Sequence, residues 1–119
     1  MKFISAEEFL KQDEDVQRVF TDYFDHKEIL FEDGSIYFGP FDYLYTTPLL
    51  TEGDLREFIE DKTNDIVLFD CDDLGNNKNW YIHKTCKVYD VVGNRNLGDD
   101  LLQAYWKIAI EIAKCKTRR

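Results

Sequence analysis

Proline occurs twice and glycine six times in 119 residues, too sparsely for a collagen-like chain or a Pro/Gly-rich linker. No apolar run approaches the ~20 residues that cross a bilayer as a helix. The first residues lack the basic-then-apolar layout of a secretory signal. Cysteine is limited to Cys71, Cys86 and Cys115, an odd number, widely spaced and without a Cys-x-x-Cys pair. That pattern fits reduced thiols and a cytoplasmic setting better than a disulfide frame. Histidine is limited to His26 and His83, so the clustered His/Cys set of a zinc site is missing. Also missing are a Gly-x-Ser-x-Gly nucleophile elbow, a Walker loop and a Gly-x-Gly-x-x-Gly dinucleotide fingerprint. No metal and no cofactor is expected, and the chain reads as non-enzymatic.

Basic charge is scarce as well. Lys and Arg number 15 against 24 Asp and Glu, a net charge of −9. The imbalance is uneven. Residues 1–73 hold 20 Asp/Glu against 6 Lys/Arg, about −14, and residues 74–119 hold 4 against 9, about +5. Nucleic-acid binders are normally basic, so direct binding to phosphate is disfavoured. An acidic protein would instead meet a nucleic-acid enzyme by competing for its basic groove.

A 44% hydrophobic content, with 15% aromatics, is enough for one core, and residues 1–119 are expected to form a single acidic domain. Its most definite element is Asp99–Cys115, a helix with Gly98 or Asp99 as cap, carboxylates at its start and lysines at its end. Gln103, Lys107, Glu111 and Lys114 recur at helical spacing as a narrow polar stripe, and nearly everything else on it is apolar. Such a helix is central, packed on a sheet and on another helix or subunit. A homodimer through this helix is one way to cover it.

Upstream, Ser5-Ala6-Glu7-Glu8 has the form of a capping box, with Glu8 reaching back to Ser5. Gln12-Asp13-Glu14-Asp15 interrupts the helical pattern before Val16, Val19, Phe20, Tyr23 and Phe24 mark a second face. Asp33-Gly34 between Glu28–Glu32 and Ser35–Phe38 predicts a hairpin. Phe41, Tyr43, Leu44 and Tyr45 read as a short strand or a packed loop. Thr51–Asp54 opens a helix that buries Leu55, Phe58 and Ile59 and ends at Thr63-Asn64. Ile66–Phe69 reads as a short buried strand, Asp70–Asn77 as an acidic loop, and Trp80–Val91 as a longer alternating strand. The order predicts an α+β domain whose antiparallel sheet of about four to five strands packs against the long C-terminal helix and one or two further helices.

The candidate site is a set of carboxylates: Glu52, Asp54, Glu57, Glu60 and Asp61 on the middle helix, then Asp65, Asp70, Asp72 and Asp73. Asp70-x-Asp72 resembles the opening of a calcium loop, with Gly75 at its sixth position. Leu74 at the fifth position and Tyr81 at the twelfth break that pattern. Glu60-Asp61-Lys62 has the letters of a metal-nuclease Glu-x-Lys pair, but on a helix rather than a strand. A hydrolase built on Asp70, Asp72, Asp73 and His83 would need a cation. Arg95, Lys84 and Lys87 are the natural ligands for a small anion.

Two stretches, Pro48–Lys62 (Pro-Leu-Leu-Thr-Glu-Gly-Asp-Leu-Arg-Glu-Phe-Ile-Glu-Asp-Lys) and Asp100–Lys107 (Asp-Leu-Leu-Gln-Ala-Tyr-Trp-Lys), resemble small acidic accessory proteins of phages and prophages in clostridia and related Firmicutes. Phe9-Leu10, followed by Val16-Gln17 and Val19-Phe20, is similar too. The resemblance covers about a third of the chain and leaves Phe24–Thr46 and Asp65–Asn96 unmatched. It implies a phage-borne protein acting in a bacterial cytoplasm, and it brings no activity and no site residues. With the acidic first half, it leads to the expectation of an anti-CRISPR-like inhibitor whose carboxylates occupy the basic groove of a host defence nuclease. The alternative is a homo-oligomer that sequesters a small nucleotide signal.

Overall fold

The computed structural model describes residues 2–24, 28–31, 36–38, 47–75 and 77–117. The chain falls into two compact units, Met1–Thr51 with Ala113–Arg119, and Glu52–Ile112. Together they make an α+β protein with antiparallel strands and a C-terminal helix.

The first unit begins with α1 (Ala6–Leu10) and α2 (Glu14–Phe24). Ser5 caps α1 by accepting from the Glu8 amide at 3.2 Å. Glu8 reaches back to Ser5, its carboxylate accepting from the Ser5 hydroxyl at 3.4 Å. The polar break separates two distinct helices. Gln17 ties them together, its side-chain amide donating to the carbonyls of Gln12 at 2.7 Å and Leu10 at 3.3 Å. Those carbonyls lie where α1 ends and lacks helical partners of its own. Val16, Phe20 and Phe24 are buried at helical spacing, and the Phe20 ring meets that of Phe9 at 6.3 Å.

Strands β1 (Glu28–Phe31), β2 (Ile36–Phe38) and β3 (Pro48–Leu49) form a sheet in the order β2-β1-β3. The expected hairpin pairing is present, but its register joins Leu30 to Ile36, whereas a two-residue Asp33-Gly34 turn would join Leu30 to Tyr37. Asp33-Gly34 lies outside the described residues, as do Phe41, Tyr43, Leu44 and Tyr45. Pro48 sits on a strand at the end of the sheet order, where a residue without N–H costs the ladder least. Beyond it the N-terminal segment adds a further rung: Ile4 N–H donates to the Leu50 carbonyl at 2.8 Å and Phe3 bridges to Thr51.

The second unit opens with α3 (Glu52–Thr63), which buries Leu55, Phe58 and Ile59 as its spacing predicts. Asn64 ends it in the left-handed region at φ 56°. The Thr63 hydroxyl donates back to the Ile59 carbonyl at 2.8 Å. A two-stranded hairpin follows, β4 (Phe69–Leu74) and β5 (Asn77–Ile82), in register from Phe69 with Ile82 to Leu74 with Asn77. The expected single sheet is therefore two antiparallel sheets among the described residues, one of three strands and one of two.

The second unit departs from expectation in three places. Ile66–Phe69 is not a buried strand: Ile66 and Leu68 are exposed and Val67 alone of the first three is buried. Asp70–Asn77 is not a loop but most of the hairpin, turning tightly after Leu74 with Gly75 at φ 69°. The strand expected over Trp80–Val91 stops at Ile82. From there the chain winds through turns, Cys86 N–H to the His83 carbonyl and Tyr89 N–H to the Cys86 carbonyl, into the short α4 (Tyr89–Val92). Burial of Ile82, Cys86 and Val88 at even spacing imitates strand alternation in this segment.

The last helix, α5, spans Leu101–Thr117, two residues later than expected. Asp100 is its cap, accepting from the Gln103 amide at 3.2 Å. Gly98 cannot join the helix because its carbonyl accepts from Trp80 N–H at 2.8 Å. Leu102, Ala104, Tyr105, Trp106, Ile108, Ala109, Ile112 and Ala113 are all buried. The polar stripe of Gln103, Lys107, Glu111 and Lys114 is only half-exposed. The helix is buried along most of its length, as its composition requires.

Candidate functional site

All nine candidate carboxylates fall in the second unit, and the structure sorts them into those the fold uses and those it leaves outside. Glu60 is used. Its carboxylate accepts from the Val67 amide at 2.8 Å and meets Arg56 Nε at 3.4 Å. It thereby holds the segment after α3 against the helix. Asp65 is used too, accepting from the Lys87 amide at 2.9 Å. That bond, with a second from the Ile66 amide, holds the Asp65 carboxyl below the ordinary carboxylate range.

Asp54, Glu57 and Asp61 recur at helical spacing on α3, flanking the buried stripe of Leu55, Phe58 and Ile59, and each has an interaction within the fold. Glu57 and Asp61 remain exposed, as does Glu52 at the helix start. Burial pushes the Tyr105 phenol up; Arg56 opposes that rise, and Glu52 and Glu60 add to it. The charged residues of α3 are thus within electrostatic reach of α5.

Asp70 and Asp72 differ from all of these. They alternate along β4, paired with Tyr81 and Asn79 of β5, and both are exposed. With Tyr81, Ile82, Lys84 and Asn94 they line an open depression of about 240 Å³. Asp73 stands one register position on, opposite Lys78. Because Asp70 and Asp72 sit on a strand, they cannot wrap a cation as the opening of a calcium loop does. Among the described residues no three His, Cys, Asp or Glu side chains are grouped to hold a metal ion.

His83 is occupied locally. Its Nδ1 lies 2.7 Å from the Thr85 hydroxyl and accepts from the Thr85 amide at 3.2 Å. Cys86 is buried, its sulfur accepting from Leu68 N–H at 3.2 Å and donating to the Leu68 carbonyl at 3.7 Å. The cations proposed for an anion are each accompanied by carboxylate. Arg95 pairs with Glu111 at 3.7 Å, Lys84 shares the depression with Asp70 and Asp72, and the Lys87 backbone meets Asp65.

Sequence reasoning missed the surroundings of Asp70 and Asp72. Ile66 and Leu68 stand exposed on the approach to β4, at 59% and 48% of their free surface. Behind them, Phe69 packs edge-on against Tyr105 at 4.8 Å and Trp80 at 6.1 Å, which anchors the hairpin to α5. The signal was present in the even positions 66, 68, 70 and 72, which share one side of an extended chain. Reading Asp70–Asn77 as a loop concealed it.

Comparison with protein families, with curated proteins and with solved structures finds no match to this chain. No helix among the described residues is long and apolar enough to cross a membrane.

Proposed function

We propose that this protein is a phage-borne, non-enzymatic inhibitor that works in the cytoplasm of a bacterial host and binds the basic nucleic-acid groove of a defence enzyme, in the manner of an anti-CRISPR protein. The observation that carries this reading is the exposed carboxylate set of the second unit. Glu52, Glu57 and Asp61 on α3, with Asp70 and Asp72 on β4, face solvent in a segment where nine Asp/Glu stand against only Arg56 and Lys62. Such a surface attracts Lys/Arg-lined clefts at long range and competes there with phosphate. Glu60 and Asp65 are left out of the binding set because the fold already employs them.

The test is capture by the tagged protein from a lysate carrying CRISPR and other defence systems, washed at low and at high salt. The expected result is a basic nucleic-acid enzyme retained at low salt, released at high salt and displaced by its own nucleic acid. A partner held equally at both salts, with its nucleic acid still bound, would overturn the mechanism.

A further inference from the structure

The two edges of the β4–β5 hairpin are not alike. On β5, Trp80 N–H donates to the Gly98 carbonyl and the Trp80 carbonyl accepts from Leu97 N–H, both at 2.8 Å. Residues 97–98 therefore cover that edge at Trp80. His83 N–H donates to the Leu68 carbonyl at 2.9 Å, which sets the phase of the ladder. In that phase Asp70, Asp72 and Leu74 exchange hydrogen bonds with β5, and the N–H and C=O groups of Phe69, Cys71 and Asp73 point away from it. Before Phe69 the same outer row is closed, because Val67 N–H is taken by Glu60. Among the described residues nothing pairs with the row from Phe69 to Asp73.

We infer that this open edge of β4 receives an extended, lysine- or arginine-bearing segment of a partner protein as an added strand. The backbone groups supply the ladder, as in β-strand addition generally. The side chains set the choice of occupant. An added strand places alternate residues beside Asp70 and Asp72, where a cation is favoured, and the next one along beside the exposed Leu68. A second copy of this chain fits poorly. Antiparallel self-pairing centred on Cys71 would set Asp70 of one copy against Asp72 of the other, and like charges directly opposite are destabilising. The inference rests on the reading of the protein as a binder of basic protein surfaces and names the contact by which it would hold one.

The probe is the capped heptapeptide Leu-Thr-Lys-Thr-Lys-Thr-Leu. Its pattern is the same in both directions, so either strand polarity sets lysines beside Asp70 and Asp72 and a leucine beside Leu68. Amide hydrogen exchange of the full chain is followed with and without the peptide. Slowed exchange at Phe69 and Cys71, with Asp70 and Asp72 amides already slow, is the expected result. Cys71→Pro removes one outward N–H while leaving the bonds to β5 and every charge in place. It should weaken peptide binding by up to about tenfold, the worth of one well-formed hydrogen bond. The contribution of charge is tested by combining Asp70→Asn with Asp72→Asn, which should weaken binding without changing the exchange pattern of the free protein.

Unchanged exchange at Phe69 and Cys71 under saturating peptide would overturn the inference. So would slowing at those amides that grows with protein concentration alone, which assigns the edge to a second copy. Neither result touches salt-dependent capture of a groove by the acidic surface, so failure of the edge and failure of the proposed function are read separately.

Discussion

The covered and the open edge of the β4–β5 hairpin show how one small motif can be both structural and available. The β5 edge is sealed at Trp80 by Leu97-Gly98, and the buried Leu97 side chain makes that seal part of the core. Among the described residues the β4 edge is closed at Val67 alone, by the carboxylate of Glu60, and continues outward between exposed aspartates. Charge on an exposed edge normally guards against aggregation by refusing a like-charged neighbour. The same aspartates do not refuse a basic one. The difference teaches that acidity here divides into carboxylates that close the fold, Glu60 and Asp65, and carboxylates left exposed on the strand, Asp70 and Asp72, to which the proposed partner selection is assigned.

Breaking the covered edge should have the largest effect. Leu97→Ala removes a side chain only 1% exposed and should cost about 2–5 kcal/mol, measured by denaturant unfolding. A loss below about 0.5 kcal/mol would mean that the β5 edge does not depend on that seal. Glu60→Ala comes next. It leaves Val67 N–H without its acceptor and should cost about 1–3 kcal/mol, with faster exchange at the Val67 amide as the local signature.

Asp65 sharpens the comparison through pH. Its folded pKa lies below the ordinary value, so its contribution is fully present above that value and is lost as pH falls through the folded pKa. The melting temperature of Asp65→Asn should therefore fall less steeply than that of the unaltered protein as pH drops below the ordinary Asp range. Parallel curves would show that the Lys87 amide contact is energetically idle. The smallest stability effect belongs to the open edge. Asp70→Asn with Asp72→Asn should change unfolding free energy by no more than about 0.5 kcal/mol, as exposed substitutions do, while weakening capture of a basic partner. A large loss of stability would place these aspartates among the residues the fold requires.

Local chemistry made several elements legible. The Ser5 cap, the Leu55/Phe58/Ile59 face of α3 and its end at Asn64 all rest on residues near one another in sequence. The identity of α5 as a largely buried helix was legible from composition alone. Its start was misplaced because the Gly98 carbonyl is claimed by Trp80, far back along the chain, and helical spacing carries no trace of that bond. Asp70–Asp73 read as a loop because aspartate is poor in strands, and strand propensity yields easily to packing. Phe69, fixed against Tyr105 and Trp80, holds the segment extended.

The nine carboxylates were all named from the sequence, but their division was not. Glu60 and Asp65 become structural only when the fold brings the Val67 and Lys87 amides to 2.8 and 2.9 Å from them. By itself, then, the sequence determined the acidic surplus, the α+β order of elements and the helices whose caps and apolar spacing are local. Tertiary structure alone decided the separation of the strands into two sheets, the end of β5 at Ile82, and which edge of the hairpin stays open. Those outcomes turn on hydrogen bonds between residues distant in the chain, and a backbone N–H carries no side-chain letter by which its partner could be read.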